Sequence, residues 1–377
     1  MNSQVAGSSR SKGRIKVFVG MSGGVDSSVS AALLKKAGYD VTGVFIKVWQ
    51  PDWIDCNWKE ERLEAMRAAA HLDIPFITLD LEQEYKRGVI DYMIAEYKVG
   101  RTPNPDVMCN REVKFGAFWK WAKENGAGFI ATGHYARNIE GQLLIGVDSN
   151  KDQSYFLWTL NRDDLAHVMF PVGDIEKPEV RKLAKKFKLP NAEKKDSQGL
   201  CFIGKVDVKE FLAHYIKMES GRVLNKSGEV IGGHPGSLLF TIGERHGFKV
   251  DAEHKTPEDL PYYVISKDID KNIIMVSNRD AAHSLPQARN SVCIRNGNWV
   301  SAKIPSKTAL DVQHFDGFPL QARSRYRQEL QRVRIVAATI SEAEIEFEKP
   351  QDTLTPGQSL VIYDGELCLG GGVIEGR

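Results

Sequence analysis

The chain reads as an α/β protein in its first half, with a parallel sheet flanked by helices, followed by a small central region and a β-rich end that closes as a barrel. Three observations carry this reading. Apolar strand segments alternate with helical stripes from Val17 to about Thr132, the pattern of parallel crossovers. The first strand runs through a glycine turn straight into a helix, the place where an open parallel sheet keeps its ligand. From about Val223 the helical stripes stop, and short alternating segments separated by turn residues take over.

Val17-Phe18-Val19-Gly20 is the first strand, and Met21-Ser22-Gly23-Gly24-Val25-Asp26-Ser27-Ser28 turns it into a helix. The stripe Val29, Ala32, Leu33, Ala37 continues that helix to Gly38. A strand follows over Val41 to Trp49, a helix over about Trp58 to Leu72, and a strand over Phe76 to Leu81. Helices over about Gln83 to Val99 and Lys114 to Lys123 lead to a strand over Phe129 to Thr132. Beyond Val223, Tyr262 to Ser266 and Ile273 to Ser277 flank the turn Asp268-Ile269-Asp270-Lys271-Asn272 as a hairpin. Arg332 to Ala338 pairs with Glu344 to Phe347, and Ser359 to Tyr363 with Leu367 to Val373.

A chain of 377 residues suggests two or three domains, and a formal net charge of +2 confines any nucleic-acid surface to local clusters. No apolar run approaches a bilayer span and no signal-peptide pattern precedes the first strand, so a cytoplasmic protein without membrane attachment is expected. Residues 1–13 are expected to be a disordered tail rather than a transit peptide. Five cysteines, Cys56, Cys109, Cys201, Cys293 and Cys368, are scattered without any Cys-x-x-Cys, which argues against a zinc ribbon, an iron–sulfur cluster or a disulfide framework.

The glycine turn is a phosphate site by composition. Gly23 and Gly24 let backbone approach an anion, the amides of Val25, Asp26 and Ser27 open a helix N-terminus, and Ser22, Ser27 and Ser28 add hydroxyls. The lysine that ends an ordinary Walker loop is replaced by Asp26. A carboxylate cannot neutralise a transferring phosphoryl group, but it can hold Mg²⁺ on a leaving pyrophosphate, so the expected chemistry is nucleotidyl transfer from ATP.

Two cysteines lie in basic surroundings. Gly100-Arg101-Thr102-Pro103-Asn104-Pro105-Asp106-Val107-Met108-Cys109-Asn110 holds two prolines that argue against a helix and for a rigid loop presenting Asn104, Asp106 and Cys109. Arg101, Arg111 and Lys114 would favour the thiolate. A structural turn around a buried cysteine fits that segment equally well. Cys201 follows Lys194 and Lys195 and is bracketed by Gly199 and Gly204. Taken alone, its block reads as an apolar strand with the thiol as core filling. Gly133 and His134 end a sheet strand where ligand would sit, and Lys151-Asp152-Gln153 makes a polar turn. Arg181, Lys182, Lys185, Lys186 and Lys188 line one side of a helix, and Arg323, Arg325 and Arg327 alternate with Ser324 and Tyr326 so as to share a strand face.

Together, Gly20 to Ser27, Gly100 to Asn110, Ala131 to Ala136, Asn150 to Leu157, Glu193 to Gly204, Thr355 to Gln358 and Tyr363 to Gly372 resemble the bacterial tRNA-specific 2-thiouridylases of the PP-loop ATP pyrophosphatase superfamily. The resemblance implies a Rossmann-like PP-loop domain over 14–221, a small central domain over 222–288 and a tRNA-binding β-barrel over 289–377. It implies that ATP adenylates the 2-carbonyl oxygen of a wobble uridine in glutamate, glutamine or lysine tRNA. Sulfur from a persulfide then displaces AMP, delivered by a donor or relay protein. By motif, Gly20, Met21, Ser22, Gly23, Gly24, Val25, Asp26 and Ser27 would hold ATP, Asp26 the Mg²⁺, and Ile46 and Gly133 the adenosine. Asn104, Pro105 and Asp106 would meet the target base, with Asp106 as acid/base. Cys109 would be the nucleophile and Cys201 the persulfide carrier. His134, Lys151, Asp152, Gln153, Arg325, Tyr326 and Gln358 would contact tRNA. Ile46, Gln198, Leu200 and Glu244 depart from the usual Met, Thr, Ile and Gln without removing a catalytic position. The rival readings are another PP-loop adenylating ligase, which would not need the two cysteines, and a non-catalytic tRNA-binding module.

Overall fold

The structure, a computed structural model, describes residues 14–53, 58–196, 207–254, 261–278, 289–300, 317–351 and 354–376. The expected N-terminal tail, Cys56 and residues 197–206, with Cys201 and most of its block, lie outside the described residues. Among the described residues no helix is long and apolar enough to cross a membrane.

The first sheet is built from β1 (Lys16–Gly20), β2 (Asp40–Lys47), β3 (Phe76–Asp80) and β4 (Phe129–Ala131), with the two-residue strand Val168–Met169 at its far edge. All pairings are parallel, in the order β3-β2-β1-β4 and then Val168–Met169. β1 is apolar over Val17 to Val19 because both its faces are covered: Phe18 joins one core cluster, while Val17 and Val19 join another. The order reverses beside β1, where the chain steps to β2 on one side and later to β4 on the other. That opens a crevice at the carboxyl ends of β1 and β4.

Helix α1 (Val25–Lys36) follows β1 and α2 (Trp58–His71) follows β2. Small residues Ser27, Ser28, Ser30, Ala31 and Ala32 let α1 be buried on most sides. Its Val25 and Val29 pack with Val180 and Ala184 of the helix Lys177–Lys186. The helix expected over Gln83 to Val99 forms over 82–98, but Lys86–Asp91 within it is π-wound. A second π-wound segment, Cys109–Ala117, presses against it, and Gly88 allows the approach: a Cβ there would lie 2.8 Å from Glu112 Cβ.

The central residues form a five-stranded sheet that includes the expected hairpin of Tyr262–Asp268 and Ile273–Asn278. Six antiparallel strands then close a barrel, in which the first strand, Arg289–Trp299, pairs with the last, Leu367–Ile374. One feature was not expected. The hairpin of Ala136–Ile139 and Gln142–Ile145, from the first domain, extends the barrel sheet through Leu144 opposite Leu367.

The three arginines expected on one strand face do not share one. The strand Leu320–Arg323 ends at Arg323, so Arg325 and Arg327 lie in the following turn, where Arg327 has φ 62°. Arg323 points inward instead, into a buried ion pair with Asp152 whose members are 8% and 4% exposed. Tyr363 Oη accepts from Arg323 Nε at 3.3 Å, and Tyr155 Oη donates to the carbonyls of Ser324 and Ser359. The segment 152–155 therefore bonds the first domain to the barrel. Removing one partner of a buried pair leaves the other charge bare. Asp152→Ala is accordingly expected to cost about 3–5 kcal/mol, read as a lower urea midpoint, with part restored by adding Arg323→Met. An unchanged midpoint would contradict the clamp.

Candidate active site at the carboxyl edge of the first sheet

β1 ends at Gly20, and four residues later α1 begins with Gly24 as its N-cap. Gly23 sits at φ 76°, and a Cβ there would collide with the Glu61 carbonyl of α2. No side-chain hydrogen bond caps α1, so its N-terminus, with the first-turn residues Val25, Asp26 and Ser27, keeps the geometry that suits an anion. Ser27 and Ser28 do a different job from the one expected. Ser27 Oγ accepts the Ser22 N–H at 3.3 Å and donates to Gly24 O at 3.2 Å, while Ser28 Oγ donates to Gly24 O at 3.0 Å. These hydroxyls hold the turn's shape. On the β4 side, Gly133 presses against the same turn: a Cβ there would stand 2.7 Å from the Ser27 amide.

Asp26 is the hub of a charge network. Tyr135 Oη donates to its Oδ1 at 2.8 Å, and Lys177 Nζ donates to Oδ1 and Oδ2 at 2.6 and 2.8 Å. Lys177 also lies 2.8 Å from Asp196, which takes Lys151 at 2.7 Å and Arg181 at 2.6 Å. Burial would raise the Asp196 carboxyl, but hydrogen bonds from Lys151 and Lys177 outweigh it and hold it down at about 2. Asn191, 3% exposed, points its amide at the carbonyls of Gly23 and Gly24 and at Ser28 Oγ. The stretch leading towards Cys201 is thus fastened to the glycine turn by Asn191 and to Asp26 through Asp196 and Lys177. Arg181, expected on a basic helix side suited to RNA, also serves here, donating to Ala192 O at 3.1 Å.

The Cys109 segment is not the loop expected from its prolines. Pro105 opens the short helix Pro105–Met108, where a missing N–H costs nothing, and Asn104 is its N-cap, accepting Val107 N–H at 3.3 Å. Asp106 and Cys109 therefore ride a helix that continues into the π-wound Cys109–Ala117. Of the cations expected to favour thiolate, Arg101 pairs with Glu96 and Arg111 with Glu112. Cys109 itself is fully buried in this arrangement.

The barrel grips this segment from outside. Gln358 Nε2 donates to the carbonyls of Thr102 and Pro103, both at 2.9 Å, and Thr102 N–H donates to Pro356 O at 2.9 Å. Gly357, at φ 92°, has no room for a side chain: a Cβ would lie 2.8 Å from Thr102 O. Tyr155 hydrogen-bonds the Asn104 side chain from beneath. Beside this clamp lies a cavity of about 350 Å³ lined by Arg101, Thr102, Lys267, Arg289 and Thr355. Burial, only partly offset by Glu244, pushes Lys267 down to about 8.

The remaining expected residues fall into two groups. Ile46 is buried near the carboxyl end of β2, and Met21 lies against Gly43. His134 is buried, with Nδ1 2.7 Å from Thr132 Oγ1 and its ring 5.7 Å from Phe115, and burial, then Lys114, hold its pKa well below the usual imidazole value. Gln153 accepts the Tyr135 N–H at 3.0 Å. Arg325 donates to Ile242 O and Thr355 Oγ1, and Tyr326 packs on Phe156 with ring centroids 4.7 Å apart. Lys177, Asn191, Tyr135 and Asp196 were missed as site residues, since each is remote in sequence from the turn it serves. Lys177 opening a helix beside Pro178 was the available signal.

The comparisons agree on what such a molecule is. Residues 15–205 match the family described as "tRNA methyl transferase HUP domain". Residues 209–278 match "tRNA methyl transferase PRC-barrel domain", and residues 289–374 match "Aminomethyltransferase beta-barrel domain". Fold and site thus define a HUP-domain protein joined to a PRC-barrel-like middle and a closed C-terminal barrel. The tRNA-specific 2-thiouridylase MnmA of Lysinibacillus sphaericus (strain C3-41) is 42% identical over 375 residues, 97% of this chain and 96% of that one. Its namesake in Proteus mirabilis (strain HI4320) is 43% identical over 370 residues, 96% of this chain and 97% of that one. In Listeria monocytogenes serotype 4a (strain HCC23) the figure is 42% over 367 residues, 96% and 95% of the two chains. The chain belongs to the tRNA-specific 2-thiouridylase family.

Proposed function

We propose that the protein converts the wobble uridine of tRNA to 2-thiouridine at the expense of ATP, releasing AMP and pyrophosphate. One observation carries the reading: the anion-binding turn and the Cys109 helix meet at one corner, Gly133-His134. Gly133 abuts the Ser27 amide, and His134 abuts Phe115 of the Cys109 segment. The glycine turn and the segment that carries Cys109 are thus neighbours through Gly133-His134. Methyl transfer, the word in two of the matched family descriptions, uses a donor with its own leaving group and would give a pyrophosphate turn nothing to do.

The uracil 2-carbonyl oxygen is a poor leaving group, so it must be activated first. The amides of Val25, Asp26 and Ser27 hold the phosphates, and Ile46 and Gly133 flank the adenosine. Asn104 and Pro105 orient the base, and Asp106 takes the N3 proton as O2 attacks the α-phosphorus and pyrophosphate departs. Sulfur then adds at C2 and AMP leaves with the former O2. A persulfide on Cys201 supplies that sulfur, either attacking directly and being released by Cys109, or freed as hydrosulfide by Cys109. Both routes leave a Cys109–Cys201 disulfide, so an external thiol must reduce it each turnover. Among the described residues no group of three or more His, Cys, Asp or Glu forms a protein-only metal cage, whereas Asp26 with substrate phosphates and water suits Mg²⁺. Bound there, Mg²⁺ would neutralise charge on the departing pyrophosphate.

The reading takes the catalytic unit as 14–221, the central domain as 222–288 and the barrel as 289–377, acting in the cytoplasm with a persulfide-delivering protein. Nucleoside mass spectrometry tests it: unmodified glutamate, glutamine or lysine tRNA, incubated with ATP, Mg²⁺ and a persulfide source, should gain 2-thiouridine only with ATP. AMP release without thiolation would redirect the reading to another adenylating ligase. Two variants test the barrel. Gln358→Ala should slow thiolation about tenfold while tRNA affinity changes little, because it loosens the Asn104 segment; a loss confined to affinity would make Gln358 a tRNA contact instead. Arg325→Ala should weaken tRNA binding and reduce the salt slope by about one, and an unchanged slope would remove Arg325 from the phosphate contacts.

A further inference from the structure

The glycine turn carries no lysine, yet a lysine stands in it. Lys177 comes from the helix Lys177–Lys186, more than a hundred residues away, and its side chain is 12% exposed. Its ammonium donates to both oxygens of Asp26 and lies 2.8 Å from Asp196. We propose that Lys177 is the cation that grips the β- and γ-phosphates of ATP and remains on the pyrophosphate as it leaves. The inference rests on the adenylation reading above and assigns a residue that reading does not use.

Position is the first argument. Lys177 N–H donates to Asp148 Oδ2 at 2.9 Å, Pro178 stiffens the helix start, and Val180 and Ala184 pack with Val25 and Val29 of α1. The ammonium is therefore held beside the first turn of α1, where anion-binding amides converge. Charge is the second. Asp26 sits within that first turn, and its carboxylate would repel incoming phosphates unless a cation lay between them. Lys177 already sits on that carboxylate. Its freedom to turn is the third argument. Asp196 keeps Lys151 and Arg181, and Asp26 keeps the Tyr135 hydroxyl, when Lys177 swings towards phosphate, so neither carboxylate is left without a partner. Lys194, a further cation near the turn, acts on Glu61. Lys177 makes and breaks no covalent bond in this role; it neutralises charge as the α–β phosphoanhydride opens.

Calorimetric binding of ATP, Mg²⁺-pyrophosphate and AMP to the full chain separates the possibilities, because AMP lacks the β- and γ-phosphates. Lys177→Met should weaken ATP and pyrophosphate roughly tenfold to a hundredfold and leave AMP within about twofold. Lys177→Arg should recover much of the pyrophosphate affinity. Equal losses for all three ligands, or no loss for any, would overturn the assignment. Should Lys177→Met fail to fold, acylation of Lys177 in the unsubstituted protein gives the same decision by mass spectrometry. Protection by pyrophosphate but not by AMP supports the role, and equal or absent protection overturns it. Unsubstituted protein that binds neither ATP nor pyrophosphate would instead overturn the adenylation reading, and the Lys177 assignment with it.

Discussion

Asp26→Ala is expected to abolish adenylation while leaving the protein folded. AMP formation in the presence of tRNA is expected to fall about a hundredfold to a thousandfold or more, the scale on which loss of one charge-stabilising group at a reacting centre is felt. Folding should survive because the ion pairs around Asp26 are redundant. Without Asp26, Lys177 keeps Asp196, and the turn keeps its Ser27, Ser28 and Asn191 hydrogen bonds. A coupled AMP assay alongside thermal unfolding checks both halves. Retained AMP formation would take Asp26 out of the reaction, and a collapsed melting transition would make its role structural.

Cys201→Ser separates the two half-reactions. The variant should bind tRNA and still form AMP, because the adenylation step does not use that thiol. Its yield of 2-thiouridine should drop about a thousandfold or more, the usual consequence of removing a group that carries the transferred atom. Cys109→Ser should fail in the same way. Cys368 makes the control: it is fully buried beneath Tyr363, burial pushes its thiol up to about 12, and replacing it should touch stability more than thiolation. Nucleoside mass spectrometry and AMP release in the same reaction read both outcomes. Thiolation by Cys201→Ser with a protein persulfide donor would end the carrier role.

Local pattern predicted the parts of this fold that are local. β1, the glycine turn and α1 were legible because strand, φ-positive glycine and helix start follow one another in a single stretch, and each obeys its own propensity. The Tyr262–Asp268 hairpin was legible for the same reason. What failed was non-local or depended on the sense in which a residue was used. Pro105 was read as a helix breaker although at the first helical position it is a helix starter. Arg323, Arg325 and Arg327 were read as one strand face because alternation says nothing about where a strand ends. Asp152 was read as a surface contact, but its partner Arg323 lies 171 residues on, and no spacing rule links them. The same limit hid Lys177 and Asn191, whose partners in the glycine turn belong to another element altogether.

The central claim is that ATP acts on the uridine oxygen itself, and the fate of that oxygen tests it most directly. A tRNA carrying oxygen-18 at O2 of the wobble uridine is thiolated in unlabelled water, and the AMP is examined by mass spectrometry. The account predicts one label in AMP for each 2-thiouridine formed. AMP without label, alongside thiolated tRNA, would contradict it and show that ATP activates some other atom.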